Sequence, residues 1–454
     1  MNVNLIDKYN IPGPRYTSYP TVPYWDENSF STEKWKQSFI RSFEESNSEE
    51  GISLYIHLPF CESLCTFCAC HKRITKNHSV EKNYIETVLK EWNLYQKNFT
   101  EKPILKEIHL GGGTPTFFSS DNLNRLLNGI FENSVIHNER EFSFEGHPNN
   151  TTREHLQTLY NLGFRRVSFG VQEYNQKVQK AINRIQPFEK VQKITSLARE
   201  IGYESISHDL VFGLPFQTLE AVIDTIEKTK SLQPDRIAFY SYAHVPWIKG
   251  NGQRGFVEED LPNGNQKRVL YEKGKEILSE LGYNEIGMDH FAITSDAMYQ
   301  SMKDKKLHRN FMGYTSSKTQ LMIGLGASSI SDSWYAFAQN QKEVENYQKD
   351  IEEGNLAVFR GHILDEEDLT IRKHILNLMC HLETELDKNL KSLPQYFQII
   401  SRLEEFIKDD LLEISHNKIL VKEQGRPFIR NICMSFDLRM LESKPETRIF
   451  SMTV

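Results

Sequence analysis

Short runs of β-branched and aromatic residues alternate with longer amphipathic segments between residues 52 and 242. The runs end in glycine, proline or a polar residue, which is typical of strands. The six predicted strands are Ile52–His57, Glu107–Leu110, Glu141–Glu145, Arg165–Val171, Ile206–Phe212 and Arg236–Tyr242. Segments of helical length and period lie between them, for example Val80–Asn98, Thr151–Leu162, Lys177–Ile201 and Thr218–Ser231. Repeated strand–helix units predict a parallel sheet with right-handed crossovers. The sheet could be doubly wound, or it could form a complete or partial β/α barrel.

The flanking regions have a different character. Residues 1–50 contain Pro12, Pro14 and Pro20 and the acidic stretch Glu44–Glu50, which predicts an irregular N-terminal extension. After about residue 355, helical patterns cover Glu366–Leu386 and Ile399–Asp410, and Leu412–Lys422 reads as a hairpin that turns near His416. The prediction is an extension over residues 1–50, a barrel with adjoining substrate-site elements over 51–355, and a small, mostly helical, winged-helix-like domain over 356–454.

Charge and hydropathy exclude two classes of function. The chain has 454 residues, with 54 Lys and Arg against 61 Asp and Glu, so its net charge is −7. This balance argues against a protein that coats nucleic acid. No apolar run approaches the roughly 20 residues that span a bilayer, and the N-terminus has no signal-peptide pattern. We therefore expect a cytoplasmic protein that binds neither nucleic acid nor a membrane.

Glycines and polar residues follow the predicted strands where parallel strands share an edge. The first strand leads into Pro59-Phe60-Cys61, and the second leads into Gly111-Gly112-Gly113-Thr114. The later strands end at or near Glu145, Gln172, Asp209 and Ala243. Because chemistry in β/α barrels collects at the carboxyl ends of the strands, these residues predict one shared site.

The cysteines are concentrated beside this predicted site. Four of the six lie in one ten-residue window, at Cys61, Cys65, Cys68 and Cys70. Three thiolates spaced Cys-x3-Cys-x2-Cys can hold three irons of a [4Fe–4S] cube and leave the fourth iron open for a ligand. A zinc knot with Cys70 as its fourth ligand is the alternative, although structural zinc favours two separated cysteine pairs.

Motifs along nearly the whole chain resemble one known family. Cys-x3-Cys-x2-Cys after a strand and Gly-Gly-Gly-Thr-Pro after the next are similar to the radical S-adenosylmethionine (SAM) superfamily. More specific blocks resemble the oxygen-independent coproporphyrinogen III oxidase family: residues 13–20, 55–61, 68–70, 287–291, 308–311 and 430–434. The resemblance implies a partial (β/α)6 radical SAM barrel. It also implies an enzyme of heme biosynthesis that decarboxylates two propionates of coproporphyrinogen III to vinyls and yields protoporphyrinogen IX.

The resemblance also implies roles for residues of the predicted site. Cys61, Cys65 and Cys68 would ligate one [4Fe–4S] cluster, whose open iron binds SAM. A second SAM would lie beside the first. The implied residues around the first SAM are Tyr55, Gly112, Glu145 and Ile330. Those around the second are Phe67, Gly113, Thr114, Gln172, Arg184, Asp209 and Ala243.

An anionic substrate in a partly dry pocket needs cationic or hydrogen-bonding partners. The candidates by motif are Arg15, His57, His290, His308, Arg309 and Arg430. Of these, His57, His308 and Arg309 join Cys70 as predicted catalytic residues. The segment Pro246–Phe256 is peculiar, and we expect a loop over the mouth of the site. A low-potential electron donor and an electron acceptor, both unidentified, are implied as partners, and a monomer is the family expectation.

Other functions remain open at this stage. A radical SAM heme chaperone would bind and transfer heme, but such relatives usually lack the Arg15–Pro20 segment and the Cys-x-Cys extension found here. A heme-modifying radical methyltransferase is a second alternative. A zinc-stabilised interaction protein is the alternative without catalysis.

Overall fold

A twelve-stranded sheet forms the centre of the computed structural model, which describes residues 3–247, 252–443 and 449–453. Its middle consists of six parallel strands in chain order: β1 Ile52–Leu58, β2 Ile104–Gly112, β3 Val135–Gly146, β4 Arg166–Gln172, β5 Ser205–Phe212 and β6 Arg236–Ser241. Sequential order is typical of a barrel, whereas a doubly wound sheet reverses direction partway. The six predicted strands are therefore confirmed, and β2 and β3 are longer than predicted.

Six shorter strands extend the sheet on both sides, and these were not predicted. They are β7 Asn284–Gly287, β8 His290–Ala292, β9 Met322–Leu325, β10 Ile330–Asp332, β11 Ala336–Asn340 and β12 Val358–Ile363. The order across the sheet is β12-β11-β10-β9-β1-β2-β3-β4-β5-β6-β8-β7. Since β12 and β7 are edges, the barrel is partial, as the resemblance implied.

Helices connect the parallel strands. Those from β1 to β6 are Val80–Gln96, Ser120–Phe131, Arg153–Asn161, Gln176–Ala181, Phe188–Ile201 and Leu219–Ser231, and Gly264–Glu280 follows β6. The predicted helix Lys177–Ile201 is two helices. Asn183 takes a left-handed conformation between them, and Pro187 precedes the second helix. Apolar side chains between the helices and the sheet form the largest core cluster.

The N-terminal region is more ordered than predicted. It holds the helices Val3–Tyr9 and Thr32–Ser46 and a short 3-10 turn at Val22–Tyr24, so the irregular assignment was wrong. Ser31 accepts a hydrogen bond from the Lys34 amide and caps the second helix. Trp35, Phe39 and Phe43 recur every four residues along it and are buried in the main core.

The C-terminal region combines helices with a three-stranded antiparallel sheet. Its helices are Glu366–His381, Lys388–Ser392, Tyr396–Lys408, Ile429–Met434 and Leu438–Glu442, and its strands are Glu383–Glu385, Leu412–Ser415 and Lys418–Val421. The predicted hairpin is confirmed, and His416 and Asn417 form its left-handed turn. The first helix ends five residues early because Leu382 turns left-handed and a strand follows. Residues 358–363 belong to the main sheet, although the predicted boundary gave them to this domain.

Smaller elements complete the chain. They are the helices Ala297–Lys303 and Val344–Glu352, the 3-10 turns Pro115–Phe117, Glu258–Asp260 and Glu423–Phe428, the strand pair Phe60–Cys61 with Arg73–Ile74, and the pair His308–Asn310 with Gly313–Thr315. Tyr9, Tyr16 and Tyr19 pack in the core of the C-terminal region, so the first twenty residues are not a free extension. Within the described residues, no helix has the length and apolar content that crossing a bilayer requires.

Candidate active site

A cavity of about 310 Å³ opens at the carboxyl ends of β2 to β6. Twelve of the residues predicted from the sequence line it: Cys61, Cys65, Phe67, Cys68, Cys70, Gly112, Gly113, Thr114, Glu145, Gln172, Arg184 and Asp209. The loops after separate strands therefore converge on one space, which is what the placement of polar residues at the strand ends predicted.

The cysteine loop is tied down on one side by the end of a helix. The strand pair Phe60–Cys61 with Arg73–Ile74 closes its base. Thr66 donates its amide to Ile182 O at 2.9 Å and its hydroxyl to Ala181 O at 2.9 Å. Asn183 donates its side-chain amide to Leu64 O at 2.8 Å. These bonds hold the loop in place through its main chain and leave the thiols free to face the cavity.

Two glycines allow β2 to approach the cysteine loop. Gly112 has φ +110°, and a Cβ there would lie 2.7 Å from the His57 ring. A Cβ on Gly113 would lie 2.5 Å from the Pro59 carbonyl. The Gly113 amide donates to Leu58 O at 2.9 Å, and the Thr114 amide donates to Phe60 O at 3.0 Å. The glycine run is thus required by close packing of the main chain.

The environment of the thiols differs from one cysteine to the next. Cys61 Sγ lies 3.3 Å from Thr114 Oγ1, although burial raises the pKa of Cys61 to about 11. Arg184 directs Nη1 at Cys65 Sγ from 3.7 Å. The Cys68 and Cys70 thiols share a hydrogen bond, which favours one thiolate between them. This hydrogen bond lowers the pKa of Cys68 to about 6 and raises the pKa of Cys70.

The donor set fits an iron–sulfur cube better than a single ion. Each of the three thiolates on a cube binds a different iron, so they need not meet at one point. In the part of the chain that the structure describes, no three His, Cys, Asp or Glu side chains converge on one metal position. Three thiols on one anchored loop, with Arg184 beside them, are what a cluster with one open iron needs.

The far wall of the cavity carries carboxylates and a guanidinium. Ser168 donates to Asp209 Oδ1 at 2.7 Å, while burial and the nearby Glu145 raise the pKa of Asp209 to about 7. Arg184 donates to Gly170 O at 2.5 Å. A Cβ on Gly170 would lie 2.6 Å from the Gln172 amide nitrogen and 2.8 Å from Arg184 Nη2. A side chain at position 170 would therefore collide with both groups.

Tyr55 and His57 lie directly behind the cavity wall. The Tyr55 hydroxyl is 3.1 Å from His57 Nδ1, and His57 Nε2 is 3.1 Å from the His71 carbonyl. Burial lowers the pKa of His57 to about 4, so its ring is neutral at pH 7. A Cβ on Gly111 would be 3.1 Å from Tyr55 and 3.2 Å from Glu145, so these two predicted SAM residues are neighbours.

Ile330 and Ala243 lie at opposite sides of the site. Ile330 begins β10, and its carbonyl would be 2.6 Å from a Cβ on Gly324, which pairs with Tyr55. Ala243 follows β6, where its carbonyl accepts a hydrogen bond from the Gln253 side chain at 2.7 Å. Neither side chain lines the cavity itself.

The structure separates two predicted catalytic residues from the cavity. His308 lines another space of about 890 Å³ at the amino ends of the strands, together with Trp334 and Cys380. Arg309 donates to the carbonyls of Arg15 and Tyr16 at 3.2 and 3.3 Å. Neither side chain lines the cavity that holds the cysteines, and contact of these two residues with the substrate stays a prediction.

The remaining cationic candidates divide into two groups. Arg15 and Arg430 line a cavity of about 70 Å³ beside the end of β6. Arg430 donates to the carbonyls of Pro14 and Met452 at 2.8 and 3.0 Å, so it also joins the two termini. His290 lies inside the barrel, where its Nε2 is 3.2 Å from the hydroxyl of Tyr240.

The predicted set did not include every residue at or beside the site. Lys72 donates to the carbonyls of Cys68 and Cys70 at 3.2 and 3.1 Å. Tyr240 and Val211 line the cavity, and the alternation of inward positions on β5 and β6 could have indicated them. Gln253 was not distinguished from its neighbours in the sequence. It lies in the predicted loop Pro246–Phe256, whose residues 248–251 fall outside the described part of the chain.

Comparison with known proteins agrees with the family that the sequence motifs resemble. Residues 55–229 match the family model described as the radical SAM superfamily. Over 438 residues the chain is 38% identical to the oxygen-independent coproporphyrinogen III oxidase of Helicobacter pylori, and the match covers 95% of each chain. Over 455 residues it is 35% identical to the protein of that name from Escherichia coli, with 99% and 98% covered.

A solved structure extends the similarity to the whole fold. The coproporphyrinogen III oxidase of Escherichia coli, described as a radical SAM enzyme, superimposes with a TM-score of 0.87 at 35% identity. The superposition covers 93% of this chain and 97% of that one. The fold and the three-cysteine site thus define a radical SAM protein. Within that class, the chain belongs to the oxygen-independent coproporphyrinogen III oxidase family.

Proposed function

We propose that this chain is a radical SAM oxidase of heme biosynthesis. It decarboxylates two propionates of coproporphyrinogen III to vinyls and yields protoporphyrinogen IX. The observation that carries this proposal is the convergence of Cys61, Cys65 and Cys68 with Glu145 and Asp209 on one cavity, in a chain similar to oxidases of this name over nearly its full length. We place the protein in the cytoplasm, where free thiols persist.

Cys61, Cys65 and Cys68 would hold one [4Fe–4S] cluster. Such a cluster would bind SAM at its open iron and would supply the electron for reductive cleavage of SAM. Arg184 offsets negative charge at Cys65, and Lys72 fixes the carbonyls of Cys68 and Cys70. Cys70 remains free to face the substrate, because a fourth thiolate on the cluster would close the SAM position.

Two SAM molecules would share the space beside the cluster. Tyr55, Gly112, Glu145 and Ile330 are proposed for the first. Phe67, Gly113, Thr114, Gln172, Arg184, Asp209 and Ala243 are proposed for the second. Glu145 and Asp209 suit ribose hydroxyls or an ammonium, and Arg184 suits a carboxylate. Equilibrium binding of labelled SAM to the reconstituted protein should reach two per chain and fall to one in Gln172→Ala. One per chain in the parent protein would contradict this assignment.

A propionate of the substrate would meet Arg15. This side chain is held by Asp289 at 3.0 Å and by the Ser241 carbonyl at 3.2 Å, at the end of β6 where Lys267 lines the same small cavity. His57 is proposed to position Tyr55, because its neutral ring bridges Tyr55 and the His71 carbonyl. We also propose that the protein is a monomer. It would use a low-potential electron donor and an electron acceptor.

Product analysis under strictly anaerobic conditions tests the proposed reaction. The full chain is reconstituted with iron and sulfide, reduced, and supplied with SAM and coproporphyrinogen III. We expect 5′-deoxyadenosine together with a porphyrinogen that has lost two carboxyl groups, and neither product in Cys65→Ala. Arg15→Gln should raise KM for the porphyrinogen and leave cleavage of SAM unchanged.

Other products would overturn the proposal. Bound heme that is transferred but not altered would favour a chaperone, and a methylated or opened heme would favour a methyltransferase. A protein that holds zinc and neither iron nor sulfide would remove the cluster assignment.

A further inference from the structure

Residues 252–254 run beside the cysteine loop and are hydrogen-bonded to it. The Gly252 amide donates to Cys68 O at 3.0 Å, and the Arg254 amide donates to Thr66 O at 3.3 Å. A Cβ on Gly252 would lie 2.8 Å from Cys65 O, so glycine is needed for this approach. We call residues 252–254 the strap. It lies against the part of the loop that carries two of the three cluster cysteines.

The side chain at the centre of the strap joins two elements of the site. Gln253 Nε2 donates to Ala243 O at 2.7 Å and to Phe67 O at 3.2 Å. Gln253 Oε1 accepts from the Val245 amide at 2.7 Å. One planar carboxamide therefore connects the cysteine loop, through Phe67, to the chain that leaves β6, through Ala243 and Val245.

The carboxamide of Gln253 contacts a side of the cysteine loop that the other hydrogen bonds to the loop do not reach. The bonds described above from Thr66 and Leu64 run to residues 181–183, and the strand pair holds the base of the loop. Gln253 lies toward β6, where Ala243 and Phe67 would line the second SAM. A buried carbonyl that loses its hydrogen-bond donor either moves or destabilises the protein. The spacing between Phe67 and Ala243 therefore depends on the carboxamide of Gln253.

We propose that Gln253 is a positioning residue that sets the distance between Phe67 and Ala243 and thereby shapes the second SAM site. The proposal rests on the proposed SAM assignment but not on the identity of the porphyrinogen. Gln253 does not need to touch either reactant, because it acts through the main-chain groups that it holds.

Two variants of the full-length protein test the role. Gln253→Ala removes the bridge, and Gln253→Glu keeps the shape and the acceptor for Val245 but loses both donated bonds. Gln157→Ala is the control, because Gln157 donates only to Asn161 on an exposed helix among the described contacts. The readouts are iron and sulfide per chain, melting temperature, and equilibrium binding of labelled SAM to the reconstituted protein.

We expect both Gln253 variants to take up iron and sulfide like the parent protein. Their affinity for SAM at the second site should fall about tenfold, since two carbonyls lose their donor. Unchanged SAM affinity in both variants would overturn the proposal. So would loss of the cluster with unchanged SAM affinity in the molecules that keep it, because the strap would then be only structural.

The test does not depend on the outcome of the porphyrinogen assay. If the parent protein binds a single SAM, the two-SAM proposal fails, and the same titration then applies to that one site. Weaker SAM binding in both variants would still support the role of Gln253 at that site. SAM binding as tight as in the parent protein would contradict it.

Discussion

Single glycines leave room for neighbouring side chains in and behind the wall of the cavity. Gly112 has φ +110°, and its missing side chain leaves room for the ring of His57. Gly170 does the same for Gln172 and Arg184. A glycine-rich strand end was visible in the sequence, but the identity of the atoms that fill the space came only from the fold.

Gly112→Ala should destabilise the protein more than a glycine substitution at a comparable but open position. Gly282 also has a left-handed φ, of +87°, and no atom lies within 4 Å of the position of its Cβ. We expect Gly282→Ala to cost about 1 kcal/mol of unfolding free energy from backbone strain. Gly112→Ala should cost a further ~2 kcal/mol from overpacking against His57. Urea unfolding of both variants checks this, and equal losses would contradict the packing argument.

The carboxyl of Asp209 should make SAM binding depend on pH. Burial raises its pKa to about 7, so the carboxylate is lost as the pH falls through that value. If Asp209 holds an ammonium or ribose group as a carboxylate, SAM affinity should be highest above pH 7 and should decline toward pH 6. Asp209→Asn should bind SAM weakly with little dependence on pH over this range. A parent profile that is flat between pH 6 and 8 would contradict the assignment.

Spacing was enough to predict the three cysteines, and the family resemblance indicated further residues that line the cavity. Cys61, Cys65 and Cys68 are adjacent in the chain, so their spacing alone carries the prediction. His308 and Arg309 could not be placed in this way, because a motif does not say which end of the barrel a short hairpin occupies. Gln253 was missed because its role depends on main-chain carbonyls, which have no sequence signature.

At the scale of elements, one buried network joins the first helix after β1 to the added strands. Glu91 is fully buried on Val80–Gln96 and accepts hydrogen bonds from the Gly326 amide at 2.8 Å, Asn340 at 2.5 Å and Tyr347 at 2.7 Å. Gly326 lies between β9 and β10, and Asn340 ends β11. The carboxyl thus ties the helix to the strands that place Ile330 near Tyr55.

Glu91→Ala should therefore cost more stability than loss of any one partner. It leaves the Gly326 amide and the Tyr347 hydroxyl without their acceptor, whereas Asn340 Nδ2 keeps the Gly326 carbonyl at 3.0 Å. For this loss we expect about 3 kcal/mol of unfolding free energy. Tyr347→Phe removes one donor and should cost about 1 kcal/mol. Urea unfolding of the protein without its cluster measures both. If Glu91→Ala is as stable as Tyr347→Phe, the network does not hold these elements together.

The parallel strands and their crossover helices could be predicted because each has a long apolar pattern with clear ends. Strands β7 to β12 have between three and six residues each, which is too short for a period to show. The helix Thr32–Ser46 has the pattern of Trp35, Phe39 and Phe43, but the prolines and acidic residues around it suggested a loop.

At the scale of the whole molecule, the two ends of the chain meet beside the mouth of the barrel. Pro12 forms a bridge with Met452, and Arg430 holds the Pro14 carbonyl. Arg15 follows directly and reaches the end of β6. The N-terminal and C-terminal segments therefore meet near the end of β6. The sequence pattern could not reveal this, because the bond between Arg430 and Pro14 joins residues more than 400 positions apart.

The central claim is that a radical formed beside the cluster removes hydrogen from a propionate of the substrate. The most direct test uses coproporphyrinogen III with deuterium on the β-carbons of its propionates, turned over anaerobically by the reconstituted full chain. We predict deuterium in the 5′-deoxyadenosine, carbon dioxide in equal amount, and neither in Cys65→Ala. Carbon dioxide released without deuterium in the 5′-deoxyadenosine would contradict the account.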